Sequence, residues 1–302
     1  MKTRWLFQSP SVSLHSWICP QANQAAGEEG CQEHFEIAIL LHGVFRYIGP
    51  RGHAICDANS ALCFNAFEPY QTSHPAGAGD AGLSLVVAPA ALADLLQRYA
   101  PRELERHRAR FPRLAVALSS KAQLLLALLR KRLLAAGEVD DFVVEETMLH
   151  LLSRLWSDGA GPSPAPSPGT RPRPRAAEDR RQRVDQVKAV LAIEFRNALS
   201  IGEIARRVAV SPQHLCRLFK LETGMALHRY LNRLRLRAAL AELLDSSRDL
   251  AWIGLDAGFS SHSHFTSAYR REFGLTPSAT RRLARERCGS WPIGPEQGSE
   301  GS

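Results

Sequence analysis

The stretch "GFSSHSHFTSAYRREFGLTP", Gly258 to Pro277, carries its large apolar side chains at helical spacing and ends in a glycine and a proline. Four apolar residues fall at positions i, i+3, i+4 and i+8, the period of one buried helix face: Phe265, Ala268, Tyr269 and Phe273. The stretch therefore predicts a helix with one face in a core and its N-terminal turn and opposite face exposed.

His262 and His264 in this stretch stand two positions apart and raise the question of a metal site. No third or fourth ligand lies nearby at metal-binding spacing, so we predict no metal here. We expect His262 on an outer face of the helix and His264 in a packing role or beside a phosphate.

An internal repeat relates this helix to an earlier one at an offset of 50 residues. Three positions recur: Leu215, Phe219 and Gly224 correspond to Phe265, Tyr269 and Gly274. Ser211 and Pro212 are suited to begin the earlier helix, as N-cap and first helical residue. Each copy predicts a helix, a tight turn and a second helix.

The helices around the repeat carry start signals of their own. Ser200 and Glu203 form a capping-box pattern, and Asp249 is the predicted N-cap of the helix before Gly258. A helix from about Leu227 to Asp245 joins the two copies, and 19 residues span roughly 28 Å. This length approaches the ~34 Å between successive major-groove faces on one side of B-DNA.

Positive charge is concentrated in the same part of the chain. Residues 1–160 hold 15 Lys and Arg against 16 Asp and Glu, whereas residues 178–287 hold 20 against 12. Arginine supplies 18 of those 20 cations, and its planar guanidinium suits phosphates and guanine edges. The asymmetry predicts a polyanionic partner for the C-terminal part.

Residues 184 to 286 resemble the two-helix-turn-helix domain of the AraC/XylS family of bacterial transcription regulators. The resemblance rests on "IARRVAVSPQHLCRLFKLETG" and "GFSSHSHFTSAYRREFGLTPSATRR". It implies a sequence-specific regulator, more commonly an activator, that binds promoter DNA and works with RNA polymerase. The DNA-contacting positions are expected at Gln213, Cys216, Arg217, His262, Ser263, Ser267 and Arg270. Cys216 and Ser267 depart from the residues that the family usually has there.

The first 90 residues predict short strands, with apolar runs in "HFEIAILLHGVFRYI", "SALCFNAF" and "LSLVVA". Two helices follow, in "LAVALSSKAQLLLALLRKRLL" and "FVVEETMLHLLSRLW". The run from His42 to Pro75 is loosely similar to the cupin-like barrel found in front of many AraC/XylS helix-turn-helix domains. Such a barrel implies a pocket for a small-molecule effector or a dimerisation surface. The predicted polar pocket residues are His34, Arg46, Tyr70 and His74.

The predicted organisation is α+β and multidomain. A cupin-like antiparallel β-barrel with two following helices spans residues 1–156, and a proline-rich linker spans 157–177. An all-α domain with two helix-turn-helix units spans 178–287, followed by a disordered tail at 288–302. The protein is expected to be cytoplasmic and without a membrane-spanning segment, and the sequence leaves open whether it forms a homodimer.

Two alternatives from other functional classes stay open: a cupin-type metalloenzyme, and a redox or metal sensor, each carrying a DNA-binding domain. A metal-dependent cupin would need a His-x-His pair on its strands, and the N-terminal half has none. Phosphate-binding loops and nucleophile elbows are also missing from the sequence. We therefore predict no enzymatic activity and no cofactor. The six cysteines lack a C-x-x-C pair and are expected to be reduced thiols, with Cys31, Cys56 and Cys63 as the candidates for a redox switch.

Overall fold

The computed structural model of the chain describes residues 1–107, 109–135, 139–159 and 174–285. Ten strands and four helices form the N-terminal part of these residues, and seven helices form the C-terminal part. The strands are β1 Lys2–Gln8, β2 Val12–Cys19, β3 Gly30–Cys31, β4 Phe35–His42, β5 Phe45–Gly49, β6 Gly52–Cys56, β7 Ser60–Phe64, β8 Pro69–Ser73, β9 Asp80–Val87 and β10 Ala115–Ala117. The helices are α1 Pro89–Tyr99, α2 Pro101–His107, α3 Ser120–Leu134, α4 Asp141–Gly159, α5 Pro174–Glu194, α6 Ile201–Arg207, α7 Pro212–Thr223, α8 Leu227–Asp245, α9 Leu250–Asp256, α10 His262–Phe273 and α11 Pro277–Leu283.

The strands form two antiparallel sheets. The larger has the order β1-β2-β9-β4-β7-β10, and the smaller has the order β3-β8-β5-β6. Side chains alternate between the two faces of a strand, and β4 shows the consequence. Ile37 and Ile39 pack with the N-terminal helices, whereas Ala38 and Leu40 pack with residues of the smaller sheet. The larger sheet is therefore covered on both faces.

Helix α3 is buried on two sides. Leu125 and Leu129 belong to the core between the larger sheet and its helices. Leu124 and Leu128 belong instead to a cluster formed with α8, α9 and α10 of the C-terminal part. The sequence predicts two helices after the strands, and the structure confirms them as α3 and α4. Helix α3 also packs against α8, α9 and α10 in the C-terminal part.

The helical predictions for the C-terminal part are confirmed. Ser200 and Glu203 form a capping box at the start of α6, and α8 runs from Leu227 to Asp245. Asp249 caps α9 through the backbone N–H groups of Ala251 and Trp252. These signals are local, because a capping side chain contacts backbone within its own first turn.

One prediction for the N-terminal half needs correction, and two helices were missed. Residues 115–117, assigned to a helix because of their apolar spacing, form β10, which pairs with β7. The helical pattern starts only after Ser119, whose side chain accepts a hydrogen bond from the Ala122 N–H. Helices α1 and α2 were not identified individually in the sequence.

The predicted linker, 157–177, is helical at both of its described ends. Helix α4 continues to Gly159, and α5 begins at Pro174, where proline suits the first helical turn. The middle of the linker and the predicted tail at 288–302 lie outside the described residues. None of the described helices combines the length and apolar character needed to cross a bilayer.

The packing of α9 against α10 requires a glycine at position 254. A Cβ on Gly254 would lie 2.7 Å from Cγ of Phe265, a buried ring that cannot retreat into solvent. We expect Gly254→Ala to lower the free energy of unfolding by about 1–3 kcal/mol, because the added methyl overpacks this contact. Urea denaturation followed by circular dichroism measures the change.

Gly202 in α6 is the matched control, because it is exposed and a Cβ added there would have the Ser200 hydroxyl oxygen as its nearest neighbour, 4.0 Å away. Gly202→Ala should leave stability unchanged or raise it by about 0.5–1 kcal/mol, since alanine is the better helix former. Equal effects of the two substitutions would contradict the close contact at Gly254.

Candidate nucleic-acid interface and ligand cavity

Helices α7 and α10 present the same pattern of exposed and buried residues. From Ser211 to Lys220 and from Ser261 to Arg270, every position has the same burial class as its counterpart 50 residues away. The buried positions are Leu215, Leu218 and Phe219 in the first copy and Phe265, Ala268 and Tyr269 in the second. The sequence repeat is therefore a repeat in three dimensions, with an exposed N-terminal turn in each copy.

Matching caps fix both ends of the two helices. The Ser211 hydroxyl accepts a hydrogen bond from the His214 N–H, and the Ser261 hydroxyl accepts one from the His264 N–H. Gly224 and Gly274 end the helices in the left-handed conformation, with φ of 70° and 78°. Glycine adopts this conformation without steric cost, so each helix stops after 12 residues.

The exposed faces hold the residues that the sequence indicates as contacts. Cys216 is half-buried, and the other six are exposed: Gln213, Arg217, His262, Ser263, Ser267 and Arg270. A guanidinium nitrogen of Arg217 lies 3.4 Å from Nδ1 of His214 and is otherwise directed to solvent. These side chains form two polar surfaces, one on α7 and one on α10.

His264 packs within its own helix pair. Its ring lies edge-on to Phe259 with centroids 5.3 Å apart, and its Nδ1 is 3.3 Å from the Ser260 hydroxyl. Among the residues that the structure describes, neither His262 nor His264 belongs to a group of three potential metal ligands.

Helix α8 joins the two helix pairs and forms hydrogen bonds with the N-terminal half. The Tyr230 hydroxyl donates to the Asp57 carboxylate at 2.6 Å, and the Asn59 amide donates to the Tyr230 carbonyl at 3.1 Å. Arg237, 2% exposed, donates to the carbonyl oxygens of Ala58 and Leu118. The turn between β6 and β7 thus holds the helix that connects the two polar surfaces.

Burial changes the proton affinity of this network. It raises the pKa of Asp57, and it lowers the pKa of Arg237 to about 9, with Arg233 adding to the decrease. With a pKa of about 9, Arg237 remains charged at neutral pH. Its guanidinium therefore needs the two carbonyls, because an uncompensated buried cation is strongly destabilising.

A cavity of about 230 Å³ lies between the two sheets. Trp17, Phe45, Phe64 and Tyr70 form aromatic walls, and His74 and Asp80 lie among the polar lining residues. Tyr70 and His74 are two of the four predicted pocket residues, and the structure brings them together here.

The other two predicted pocket residues lie elsewhere. His34 lines a second cavity, of about 580 Å³, beside Phe35 and Phe67. Arg46 follows Phe45 on β5, so strand alternation turns it to the opposite face of the smaller sheet, towards Asp185 of α5. A single pocket holding all four residues is therefore a wrong expectation.

Cys19, His74 and Asp80 form a cluster at the smaller cavity. Sγ of Cys19 is 4.0 Å from Nε2 of His74, and Nδ1 of His74 is 2.9 Å from a carboxylate oxygen of Asp80. Among the described residues, they form a group whose potential ligand atoms lie within 4.8 Å of one another. Sequence reasoning singled out His74 alone, because 55 residues separate it from Cys19 and only the sheet pairing joins them.

Comparisons with known proteins locate the C-terminal part in a family. Residues 204–283 match the model of a helix-turn-helix domain. The transcriptional regulator ArgR of Pseudomonas aeruginosa is 41% identical over 100 residues, which cover 32% of this chain and 30% of that protein. The transcriptional activator RhaS of Escherichia fergusonii is 38% identical over 105 residues, which cover 35% of this chain and 38% of that protein.

A solved structure of a transcriptional regulator from Chromobacterium violaceum, described as an AraC-type DNA-binding domain-containing protein, is also similar. It is 34% identical, with a TM-score of 0.33, and the match covers 35% of this chain and 94% of that one. The chain spans about a third of the length of the two curated relatives. The two curated relatives are named as regulators of transcription.

The caps of α7 and α10 can be tested directly. Ser211→Ala and Ser261→Ala each remove the oxygen that accepts from a first-turn N–H, so each should lower the free energy of unfolding by about 0.5–2 kcal/mol. Urea denaturation provides the measurement. Ser211→Thr and Ser261→Thr keep an oxygen at the same place and should retain most of the stability; a threonine variant as unstable as its alanine counterpart would argue against capping.

Proposed function

Because the chain belongs to the AraC/XylS family through its C-terminal domain, we propose that it is a sequence-specific, DNA-binding transcription regulator. Its two helix pairs, α6 with α7 and α9 with α10, act as two helix-turn-helix units. The observation that carries this proposal is the identical exposure of α7 and α10 at an offset of 50 residues, inside the part of the chain that matches a helix-turn-helix model.

The spacing of the two units suits adjacent segments of one major groove. Helix α8 has 19 residues and is therefore roughly 28 Å long, against ~34 Å for one turn of B-DNA. Each reading helix presents its N-terminal turn, where side chains reach base edges and backbone N–H groups favour phosphates. The base-reading residues on α7 are Gln213, Cys216 and Arg217.

Arg217 is the strongest base-reading residue of the set. It is exposed, and an arginine fork pairs with O6 and N7 of guanine, the commonest specific contact in the major groove. On α10 we assign His262, Ser263, Ser267 and Arg270 to the interface, with Arg270 suited to phosphate or guanine. The short side chain of Ser267 reaches less far, so the second unit relies more on backbone contacts.

The N-terminal sheets act as a cupin-like barrel that binds a small-molecule effector in the cavity between them. Aromatic walls with a few polar groups, Tyr70 and His74 among them, are typical of small-molecule sites. The contacts of Asp57, Asn59 and Ala58 with α8 provide the route by which such a molecule acts on the DNA-binding units.

The outcome of DNA binding is activation, as the name of the relative RhaS indicates for that protein. The partners we propose are promoter DNA, RNA polymerase and a second copy of the chain, in the cytoplasm. The experiment that tests the function is selection of duplexes from a random pool by the purified full chain, followed by footprinting of the selected sequence. Recovery of no preferred sequence at moderate ionic strength would exclude the proposal.

Removing the guanidinium of Arg217 tests base reading. On the selected duplex, Arg217→Ala should weaken binding by about 1–3 kcal/mol, because one guanine loses its paired donors. On random duplex the loss should be small, since phosphate contacts are unchanged. Fluorescence anisotropy titrations of both duplexes at one salt concentration measure the two affinities.

Arg98→Ala is the matched control, because Arg98 is exposed on α1 and its removal changes the net charge by the same amount. This variant should bind both duplexes like the unaltered protein. Equal losses on selected and random duplexes for Arg217→Ala would instead assign Arg217 to the phosphate backbone.

A further inference from the structure

The cluster of Cys19, His74 and Asp80 has the order of a nucleophile, a base and a residue that orients the base. Nδ1 of His74 lies 2.9 Å from the Asp80 carboxylate, so the ring donates its Nδ1–H to Asp80 and keeps the lone pair of Nε2. That lone pair lies on the side of Cys19, whose Sγ is 4.0 Å from Nε2. Proton transfer from the thiol to Nε2 produces a thiolate beside an imidazolium.

Burial strengthens the interaction between His74 and Asp80. The side chains of His74 and Asp80 are 3% and 1% exposed, so their interaction is little screened by water. Burial raises the pKa of Asp80, and the contact with His74 opposes that rise. An imidazolium on His74 is stabilised by the Asp80 carboxylate, and the main chain fixes the pair because Cys19 and Asp80 are direct neighbours across β2 and β9.

The cavity beside Cys19 indicates what the thiol meets. Its volume of about 230 Å³ is below the ~300–1,000 Å³ of sites for drug-sized ligands, and its walls are aromatic. It therefore suits a small, flat and largely apolar molecule.

Tyr70 supplies a proton donor in the same cavity. The amide of Gln32 donates to the Tyr70 oxygen at 3.0 Å, which leaves the hydroxyl proton for another acceptor. Burial and the Glu36 carboxylate raise the pKa of Tyr70 to about 12, so the hydroxyl keeps its proton at neutral pH. A carbonyl oxygen on a bound molecule is an acceptor for it.

We propose that Cys19 is a reactive thiol that captures a small α,β-unsaturated carbonyl compound in this cavity, with His74 as its base, Asp80 as a positioning residue and Tyr70 as the donor to the carbonyl oxygen. The inference deepens the proposed effector role of the cavity and rests on it only for the link to DNA binding.

The step balances without a further reactant. Nε2 of His74 takes the thiol proton, and the sulfur forms a bond to the β carbon of the compound. The π electrons of the C=C bond move towards the carbonyl and give an enolate, whose oxygen accepts a hydrogen bond from Tyr70. The imidazolium then returns the proton to the α carbon, which leaves a saturated thioether and neutral His74.

A metal ion is the competing occupant of this cluster, because Sγ of Cys19, a His74 ring nitrogen and an Asp80 carboxylate oxygen lie within 4.8 Å of one another. The 2.9 Å contact between Nδ1 of His74 and the Asp80 oxygen is a hydrogen bond, which a metal ion bound at Nδ1 would replace. Zinc sites in proteins have three or four protein ligands, so the experiment has to distinguish a metal site from a reactive thiol.

The experiment uses the reduced, chelator-treated full chain and 2-cyclohexen-1-one as the probe. Peptide mass spectrometry over a time course gives the rate of adduct formation at each cysteine, and the exposed Cys31 is the internal reference. Although Cys19 is buried, it should react at least ~10-fold faster than Cys31, because a positioned base accelerates proton transfer by ~10²–10⁴. A Cys19 slower than Cys31 would overturn the proposal.

Three variants assign the roles. His74→Gln and Asp80→Asn should slow the adduct at Cys19 by ~100-fold and leave Cys31 unchanged; unchanged rates at Cys19 would overturn the roles of both residues. If those variants do not fold, as judged by circular dichroism, the Tyr70→Phe variant provides the test. It should slow the reaction with the enone but not with iodoacetamide, which develops no enolate. Equal effects on both reagents would contradict the role of Tyr70.

Two further measurements separate the alternatives. If the purified chain carries one equivalent of zinc that protects Cys19 until a chelator removes it, the cluster is a metal site and the proposal is wrong. DNA affinity is then measured before and after adduct formation. If an adduct forms at Cys19 without any change in DNA affinity, Cys19 is a reactive thiol but the cavity does not control DNA binding.

Discussion

The buried guanidinium of Arg237 ties the N-terminal half of the protein to helix α8. Its side chain is 2% exposed and donates to the carbonyls of Ala58 and Leu118, both in the N-terminal half. A buried charge that loses its partners costs about 3–5 kcal/mol. Separation of the two halves would have to bring water to this cation and to its carbonyls at the same time. The position of α8, and with it the relation between α7 and α10, therefore depends on the N-terminal half.

The two helix pairs depend on the N-terminal half to different degrees. The first pair packs in a cluster made almost wholly of α5, α6, α7 and α8, with Ala58 at its edge. The second pair shares its cluster with Leu124, Ala127 and Leu128 of α3, and the Ser120 hydroxyl donates to Glu272 of α10. A shift of α3 would thus disturb α10 before α7. The N-terminal half therefore contacts α10, one of the two proposed reading helices, directly.

The sequence predicts local features well and long-range ones poorly. The starts of α6, α7 and α9 and the end of α7 follow from serine, aspartate, proline and glycine signals that act within one turn, and they are confirmed. Ala115–Ala117 has a helical spacing of apolar residues, yet pairing with β7 makes it a strand. Arg237 looks like any surface arginine of a basic helix, because its carbonyl partners come from residues 119 and 179 positions away. Cys19 and His74 meet only through the sheets, so no spacing in the sequence reveals them.

A short series of contacts connects the cavity to α8. Phe45, a wall of the cavity, pairs on β5 with Cys56 of β6. The next residue is Asp57, whose carboxylate holds the Tyr230 hydroxyl. Because interiors are densely packed, a molecule that displaces the Phe45 ring has to be accommodated by β6 or by a neighbouring strand. The turn after β6 also carries Ala58, a partner of Arg237, so a displacement that reaches this turn acts on both anchors of α8 together.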